Sequence, residues 1–190
     1  IYKKNKTLRK FYLIKKGVVR ISRIFDTGEE VTLSLLKEGS LFGIISFLKN
    51  IPSEEFYSAS AFTKVELESS PIESLSEEIS SNKYIRKELI SGFTKRLIYS
   101  ENIVEALNEP NKNRKLIKFL IFLSREFGCN CPDGLLINLD LTHQSIAECI
   151  GTCRLTITRQ LSKLKKELII KNKNKKILIM DINSLYKYLK

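Results

Sequence analysis

Short alternating runs of hydrophobic and polar positions predict β-strands in the first 70 residues. The runs are rich in β-branched and aromatic residues and cover 11–14, 18–24, 31–36, 41–43 and 59–67. Gly17 and the segments 26–29 and 37–40 separate the runs with residues that favour turns. Strands of this length with frequent turns predict a small antiparallel roll or barrel, with a short helical stretch reaching Leu48.

After residue 80 the pattern changes to one that predicts a long helix. From the candidate N-cap pair Ser81 and Asn82, apolar residues recur at helical spacing as far as Pro110: Ile85, Leu89, Phe93, Leu97, Val104 and Leu107. A helix of about 25 residues is roughly 38 Å long, which exceeds what a small roll covers. The stripe therefore predicts a partner helix, most simply a second copy in a homodimer. The alternative is a helix packed only on its own roll.

A second helix is predicted over Lys112–Phe127, closed by Gly128. Its apolar residues share one side and its cations the other: Leu116, Ile117, Leu120, Leu123 and Phe127 inward, and Lys112, Arg114, Lys115 and Lys118 outward. We expect a loop over 129–134 and a strand over 135–139.

The segment 141–161 predicts a helix-turn-helix, the most specific pattern in the chain. Ala147 supplies the small residue where the two helices cross, and Gly151 supplies the turn. Apolar anchors for the second helix stand at the required spacing, at Ile146, Ile150, Ile157, Leu161 and Leu164. Polar side chains at the start of each helix form the predicted DNA-binding set: His143, Gln144, Arg154, Thr156, Thr158 and Arg159. The alternative is an αα corner in a structural helical domain.

The segment 168–180 predicts a β-hairpin with a basic tip, which is the wing of a winged helix-turn-helix. Two apolar runs flank a lysine-rich centre, and Lys171, Lys173 and Lys175 are predicted to bind DNA phosphates.

The charge of the chain supports a polyanionic partner. The formal net charge is +12. Residues 1–110 contain 17 basic and 15 acidic side chains, whereas residues 111–190 contain 16 basic and 6 acidic ones. The composition, 43% hydrophobic and 28% charged, is that of a globular protein, and no apolar stretch is long enough to span a membrane.

The cysteines and the single histidine do not predict an enzyme. A single residue separates Cys129 from Cys131, whereas about two to four residues separate the paired ligands of structural zinc sites. Cys149 and Cys153 have only His143 nearby, so we expect structural or incidental thiols, with an iron–sulfur or zinc site as the alternative. We find no nucleophile–base pair or metal triad, and we expect no required cofactor.

The order of roll, long helix and winged helix-turn-helix resembles the CRP/FNR family of transcription regulators, and within it the nitrogen-regulator branch. The residues that carry the resemblance are 41–45, 56–59, 61–63, 65–67, 70–73, 125–128, 133–134 and 143–159. The resemblance implies an α+β fold with a β-roll effector domain over 1–76, a dimerisation helix over 77–110 and a winged helix-turn-helix over 111–190. It also implies that the first strands of the roll precede Ile1.

In that branch the effector is 2-oxoglutarate, held between roll and helix. The matching positions here are Phe42, Gly43, Ile44, Ile45, Arg96 and Glu101, the last contributed by the partner's helix. Glu55 stands where the branch has an arginine that helps hold the dicarboxylate, so a different effector or none is the alternative. A cyclic-nucleotide pocket would need Gly-Glu at the positions of Gly43 and Ile44.

The resemblance and the residues together predict a homodimeric activator of nitrogen-assimilation genes that binds a palindromic operator in double-stranded DNA. Contact with RNA polymerase follows from that role. The abundance of lysine, isoleucine and asparagine indicates the plastid stroma if it reflects an organelle genome, and otherwise the bacterial cytoplasm.

Overall fold

The computed structural model describes residues 1–2, 10–28, 30–44 and 57–189, which form two compact units. The first unit is Ile1–Glu101 and the second is Asn102–Lys190. The predicted helical stretch up to Leu48 extends beyond the described residues, and Ile45 and Glu55 lie outside them. Among the helices of the described residues, none is long and apolar enough to cross a membrane.

The described strands of the first unit form two antiparallel three-stranded sheets. They are β1 (Lys10–Lys16), β2 (Val19–Ile24), β3 (Glu30–Leu36), β4 (Leu41–Phe42), β5 (Ser58–Ala61) and β6 (Glu66–Pro71). One sheet has the order β4-β1-β6 and the other β3-β2-β5. In the first sheet Tyr12 pairs with Phe42 on one side and Ser69 on the other. The predicted antiparallel roll is therefore present.

The segment 59–67, predicted as one strand, is instead two strands in different sheets. Its beginning belongs to β5, which pairs with β2, and its end belongs to β6, which pairs with β1. The chain passes between the sheets beside Gly17, where a Cβ would lie 2.2 Å from the carbonyl oxygen of Lys64. The backbone N–H of Val18 donates to Oγ1 of Thr63 at 2.9 Å and fixes this crossing. Alternation alone does not reveal where a strand changes sheets.

Two apolar clusters stabilise the first unit. The larger one consists of Tyr2, Ile14, Val19, Ile21, Leu36, Phe42 and Ala59. Tyr12 packs against this cluster, and its ring stacks on that of Phe42 with centroids 5.1 Å apart. The smaller cluster consists of Phe11, Ile44, Leu75 and Leu89 and attaches helical residues to the strands.

Two helices follow the strands, α1 (Ser74–Ser81) and α2 (Lys83–Leu107). Oδ1 of Asn82 accepts hydrogen bonds from the backbone N–H groups of Tyr84 at 2.9 Å and Ile85 at 3.3 Å, which confirms Asn82 as the cap of the long helix. Residues 77–81, predicted as part of the dimerisation helix, belong to the separate helix α1.

The predicted apolar stripe on α2 divides between two faces. Leu89 is buried in the smaller cluster, and Ile85 packs against that cluster. These two residues therefore belong to the face of α2 that packs on the first unit. The exposed stripe is formed by Ile90, Phe93, Leu97 and Val104, of which Ile90, Leu97 and Val104 are spaced by seven. The predicted stripe followed steps of four residues and so included residues of both faces. Both faces are apolar, and the sequence pattern does not distinguish them.

The second unit combines helices with a four-stranded antiparallel sheet. Its elements are α3 (Lys112–Phe127), β7 (Gly128–Cys131), β8 (Gly134–Ile137), α4 (His143–Cys149), α5 (Arg154–Lys166), β9 (Ile170–Lys173), β10 (Lys176–Ile179) and α6 (Ile182–Lys187). The sheet order is β7-β8-β10-β9. The predicted bounds of α3 agree with the structure, and Oδ1 of Asn111 caps it by accepting from Asn113 and Arg114.

The predicted loop over 129–134 is wrong, because 128–131 form strand β7 in a tight hairpin with β8. Gly128 does end α3, but not as a left-handed cap: its φ is −76° and the chain passes directly into β7. Glycine is needed for space, since a Cβ here would lie 2.0 Å from the carbonyl oxygen of Ser124.

Lys118 was predicted to face outward with the other cations of α3, but it is bound within the second unit. Its Nζ lies 3.1 Å from Oε1 of Glu105 and 3.3 Å from Oε2 of Glu109. The hydrogen bond to Glu105 raises the pKa of Lys118 despite partial burial. Lys118 therefore joins the end of α2 to α3 rather than contributing charge to an outer surface.

Candidate nucleic-acid interface and effector pocket

Local hydrogen bonds set the start of α4 and the turn that follows it. Oγ1 of Thr142 accepts from the N–H of Ser145 at 2.9 Å, and Oγ of Ser145 accepts from the N–H of Thr142 at 3.0 Å. This capping box satisfies two donors at the first turn. Gly151 has φ of +60°, the left-handed conformation that glycine adopts without strain, and Thr152 donates to the carbonyl of Ala147 at 3.0 Å.

The residues predicted to hold the two helices together are all buried. Ala147 is 1% exposed at the crossing, and none of the anchors Ile146, Ile150, Ile157, Leu161 and Leu164 exceeds 3%. The predicted helix-turn-helix, α4 and α5, is therefore present with its core packed as expected.

The first half of α5 presents two arginines to solvent. Arg154 and Arg159 are both exposed, whereas Thr156 and Thr158 are half-buried. Oγ1 of Thr158 donates to the carbonyl of Arg154 at 3.0 Å, and Oγ1 of Thr156 lies 3.1 Å from Sγ of Cys153. The hydroxyls of both threonines thus have partners within the helix-turn-helix, and the arginines have the longer reach toward a ligand.

Leu155 is a residue of this surface that the sequence reasoning missed. It lies between the predicted contacts on α5 and is 59% exposed, although it is large and apolar. An apolar side chain in this position can contact the methyl group of a thymine in the major groove. The sequence already indicated this exposure, because Leu155 does not fall in the helical spacing of the buried residues Ile157, Leu161 and Leu164.

The predicted hairpin is formed by β9 and β10, and its lysines Lys171, Lys173 and Lys175 are exposed. Its two-residue turn has positive φ at Asn174 (+50°) and Lys175 (+63°), as a tight hairpin turn requires. The N–H of Leu141 donates to the carbonyl of Lys175 at 3.1 Å. This bond fixes the tip of the hairpin beside the start of α4.

His143 and Gln144 occupy the first turn of α4 with different surroundings. Nδ1 of His143 lies 2.8 Å from Oγ1 of Thr158 on α5, whereas the exposed Gln144 donates to Glu148 at 2.9 Å. Burial lowers the pKa of His143, and the nearby positive charges of Lys165 and Arg154 lower it further. The ring lines a cavity between the two helices and the hairpin, together with Asp140, Thr142, Asn172 and Lys175.

The four cysteines form no disulfide bond with one another. Cys129 and Cys131 lie in β7, Cys149 is buried in α4, and Cys153 is exposed at the N-terminus of α5. Hydrogen bonds from Thr156 lower the pKa of Cys153. In the part of the chain that the structure describes, no group of three His, Cys, Asp or Glu residues is arranged to hold a metal ion.

The predicted effector residues come together only in part, in a cleft of the first unit. Phe42, Ile44 and Arg96 line it with Leu36, Ser40, Leu41, Glu88, Leu89, Gly92 and Phe93. The guanidinium carbon of Arg96 lies 5.0 Å from the ring centroid of Tyr57, within cation–π range. Gly43 is buried and has φ of +83°. The ring of Phe42 belongs to the core, so only the backbone of Phe42 is available to contact a ligand in the cleft. Glu101 is exposed on α2 and does not line the cleft.

The helix pair, its exposed arginines and the lysine hairpin define a winged helix-turn-helix DNA-binding protein. The family model of the Crp-like helix-turn-helix domain matches residues 114–188, and that of the cyclic nucleotide-binding domain matches residues 1–82. The chain is 38% identical over 185 residues to the global nitrogen regulator of Nostoc sp., covering 94% of this chain and 83% of the relative. It is 39% identical over 170 residues to that of Synechococcus elongatus, covering 90% and 77%.

The chain therefore belongs to the CRP/FNR family of transcription regulators, and it is a DNA-binding regulator rather than an enzyme. A solved structure agrees with the fold. A CooA mutant from Carboxydothermus hydrogenoformans aligns with a TM-score of 0.78 at 21% identity, over 100% of this chain and 86% of the other. The predicted α+β class and the order of roll, long helix and DNA-binding unit are confirmed.

Proposed function

We propose that the protein binds a palindromic DNA operator as a homodimer and activates nitrogen-assimilation genes. The observation that carries the proposal is that one unit presents Arg154 and Arg159 on a recognition helix and a lysine-rich hairpin held beside that motif. Arginine reads guanine through O6 and N7, and lysine binds phosphates. The nitrogen role is supported by the identity to the two global nitrogen regulators.

The exposed stripe on α2 supports the homodimer. A two-fold operator needs two copies of α5 about one DNA turn, roughly 34 Å, apart. Ile90, Leu97 and Val104 lie on one side of the helix at heptad spacing, which suits a pair of parallel helices.

A gel shift tests the proposal. The probe is a palindrome with GTA and TAC half-sites, and the control is a duplex of the same composition with scrambled half-sites. We expect the palindrome to be shifted at a lower protein concentration than the control. Equal binding to the two duplexes would contradict sequence-specific recognition.

For the effector we propose 2-oxoglutarate in the cleft of the first unit. Arg96 supplies a guanidinium that can hold a carboxylate in a bidentate pair. The second candidate is a regulator without this effector. Two acidic side chains favour it: Glu88 lines the cleft, and Glu55 stands where the related branch has an arginine.

Calorimetry separates the two candidates. If Arg96 binds 2-oxoglutarate, the titration gives heat with the parent protein and none with Arg96→Gln. Dimethyl 2-oxoglutarate, in which both carboxylates are esterified, is the uncharged control. A parent protein that gives no heat but still shifts the palindrome would contradict control by 2-oxoglutarate and support the second candidate.

Activation requires contact with RNA polymerase, which we propose as a further partner. In vitro transcription from a template with the palindrome upstream of a promoter tests it, with the scrambled template as control. Repression by the bound protein would contradict the activator role.

For the location we propose the plastid stroma, supported by the lysine, isoleucine and asparagine bias of the chain. Immunodetection in isolated plastids tests it against the bacterial cytoplasm.

A further inference from the structure

The chain has one histidine, and it lies in the helix-turn-helix. His143 begins α4, and its Nδ1 is hydrogen-bonded to Oγ1 of Thr158 on α5 at 2.8 Å. The imidazole therefore connects the two helices of the motif. It also lines the cavity that Lys175 and Asn172 of the hairpin close from the other side.

Which ring nitrogen of His143 carries the proton depends on where the hydroxyl of Thr158 donates. The hydroxyl of Thr158 has one hydrogen, and it donates this hydrogen to the carbonyl of Arg154 at 3.0 Å. With the hydroxyl hydrogen on that carbonyl, we assign the Nδ1–H tautomer to the neutral ring, in which Nδ1 of His143 donates to Thr158. In the neutral ring, Nε2 then has a lone pair and no hydrogen, and this nitrogen is the one that gains a proton when the ring becomes charged.

The charges that face the ring are mostly positive. Arg154 and Lys165 approach it from α5, and Lys175 of the hairpin lines the same cavity. Asp140, just before α4, is the acidic group among the cavity-lining residues. Burial and the two α5 cations lower the pKa of His143, which favours the neutral ring in the free protein.

We propose that His143 takes up a proton from solvent when DNA binds, and that its charged ring then donates from Nε2 to a backbone phosphate. The proposal rests on the proposed DNA-binding function of this unit. A phosphate in the cavity brings negative charge toward three cations and adds an acceptor for a new N–H bond. Both effects favour the charged ring, so the pKa that is low in the free protein rises in the complex.

The sign of the pH dependence follows from this shift. A group with a higher pKa in the complex adds affinity below that value, and the gain is lost as the pH rises through it. The affinity for DNA should therefore increase as the pH falls within the range of imidazole titration, about pH 5 to 8. Each unit of pKa increase gives at most about a tenfold gain per protomer.

The first measurement is the NMR titration of the imidazole in tag-free protein, free and bound to the palindrome. Because the chain has one histidine, its ring signal needs no assignment by mutation. We expect a higher pKa in the complex. An equal or lower pKa in the complex would overturn the proposal.

The second measurement is the binding constant as a function of pH for the parent and two variants. In His143→Asn the amide nitrogen takes the place of Nδ1 and can still donate to Thr158, but the side chain does not titrate. Cys153→Ser is the control. It removes a second titratable group of the helix-turn-helix whose pKa is shifted, at the N-terminus of α5. We expect a pH slope in the parent and in Cys153→Ser, and its loss in His143→Asn.

The outcomes separate this inference from the function on which it rests. If the parent binds the palindrome with no pH slope, or if His143→Asn retains the slope, the proton linkage is wrong and DNA binding stands. If the parent binds no DNA at any pH, the proposed function itself is wrong. Should His143→Asn fail to bind, the NMR titration of the parent still decides the inference.

Discussion

Arg154 and Lys173 have the same charge but occupy positions with different roles. Arg154 lies on α5, where base edges come within reach, and Lys173 lies on the hairpin beside it. We expect Arg154→Ala to lose about 1–3 kcal/mol of discrimination at one base position. Lys173→Ala should weaken binding to all sequences alike and lower the salt dependence by about one counterion per protomer.

Anisotropy titrations with a set of single-base operator variants at two salt concentrations measure both effects. Each variant serves as the control for the other, because both remove one positive charge from the same unit. Should Arg154→Ala keep the operator ranking of the parent protein, α5 would not be the helix that reads the bases.

Single residues of the DNA-binding motif were predictable because the motif imposes local requirements. A left-handed turn requires Gly151, and a close crossing requires Ala147, so sequence position and spacing sufficed. The partners of Thr158 and Lys118 were not predictable, since they depend on which helix faces them. Arg96 and Ile44 were named only through the family resemblance, because they are separated by half the first unit in sequence and meet only in the folded cleft.

At the scale of elements, the junction between α3 and β7 depends on the lack of a side chain at Gly128. A Cβ there would lie 2.0 Å from the carbonyl oxygen of Ser124, while nothing lies within 4 Å of a Cβ added at Gly92 in α2. Gly128→Ala should lower the free energy of unfolding by about 1–3 kcal/mol through overpacking. Gly92→Ala should raise it by about 0.5–1 kcal/mol, because alanine loses less backbone entropy in a helix.

Urea unfolding of the two variants beside the parent protein checks this pair. Neither position has a positive φ, so the two substitutions differ in available space and not in backbone strain. A neutral or stabilising Gly128→Ala would show that the junction can relax, contrary to the close approach described above.

Element boundaries followed from sequence where a cap and a clear amphipathic pattern coincide, as in α3 with Asn111. They failed where pairing decides the outcome. The segment 59–67 became two strands and the segment 129–134 became part of a hairpin because of neighbours elsewhere in the chain, and hydrophobic alternation contains no information about those neighbours.

At the scale of the whole molecule, the exposed stripe on α2 should determine the oligomeric state. Leu97 is 61% exposed in its middle. In a homodimer, Leu97→Lys places a buried charge on both sides of the interface and removes two apolar contacts. We expect the dissociation constant of the dimer to rise by about 100-fold or more.

Sedimentation velocity over a dilution series measures that constant. Lys95→Glu is the control, because Lys95 is two residues from Leu97 and its side chain therefore lies on the opposite side of the helix. An unchanged dimer in Leu97→Lys would place the dimer interface outside the stripe.

The boundary between Leu89 and Ile90 also limits how the chain can change in length. Leu89 is 8% exposed in the core of the first unit, and its neighbour Ile90 is 68% exposed on the stripe. One inserted residue rotates everything that follows by about 100°. In a homodimer, an insertion or deletion of a single residue in this part of α2 would therefore turn the stripe away from the partner helix. A change of seven residues, close to two full turns, returns the stripe to within about 20° of its side of the helix.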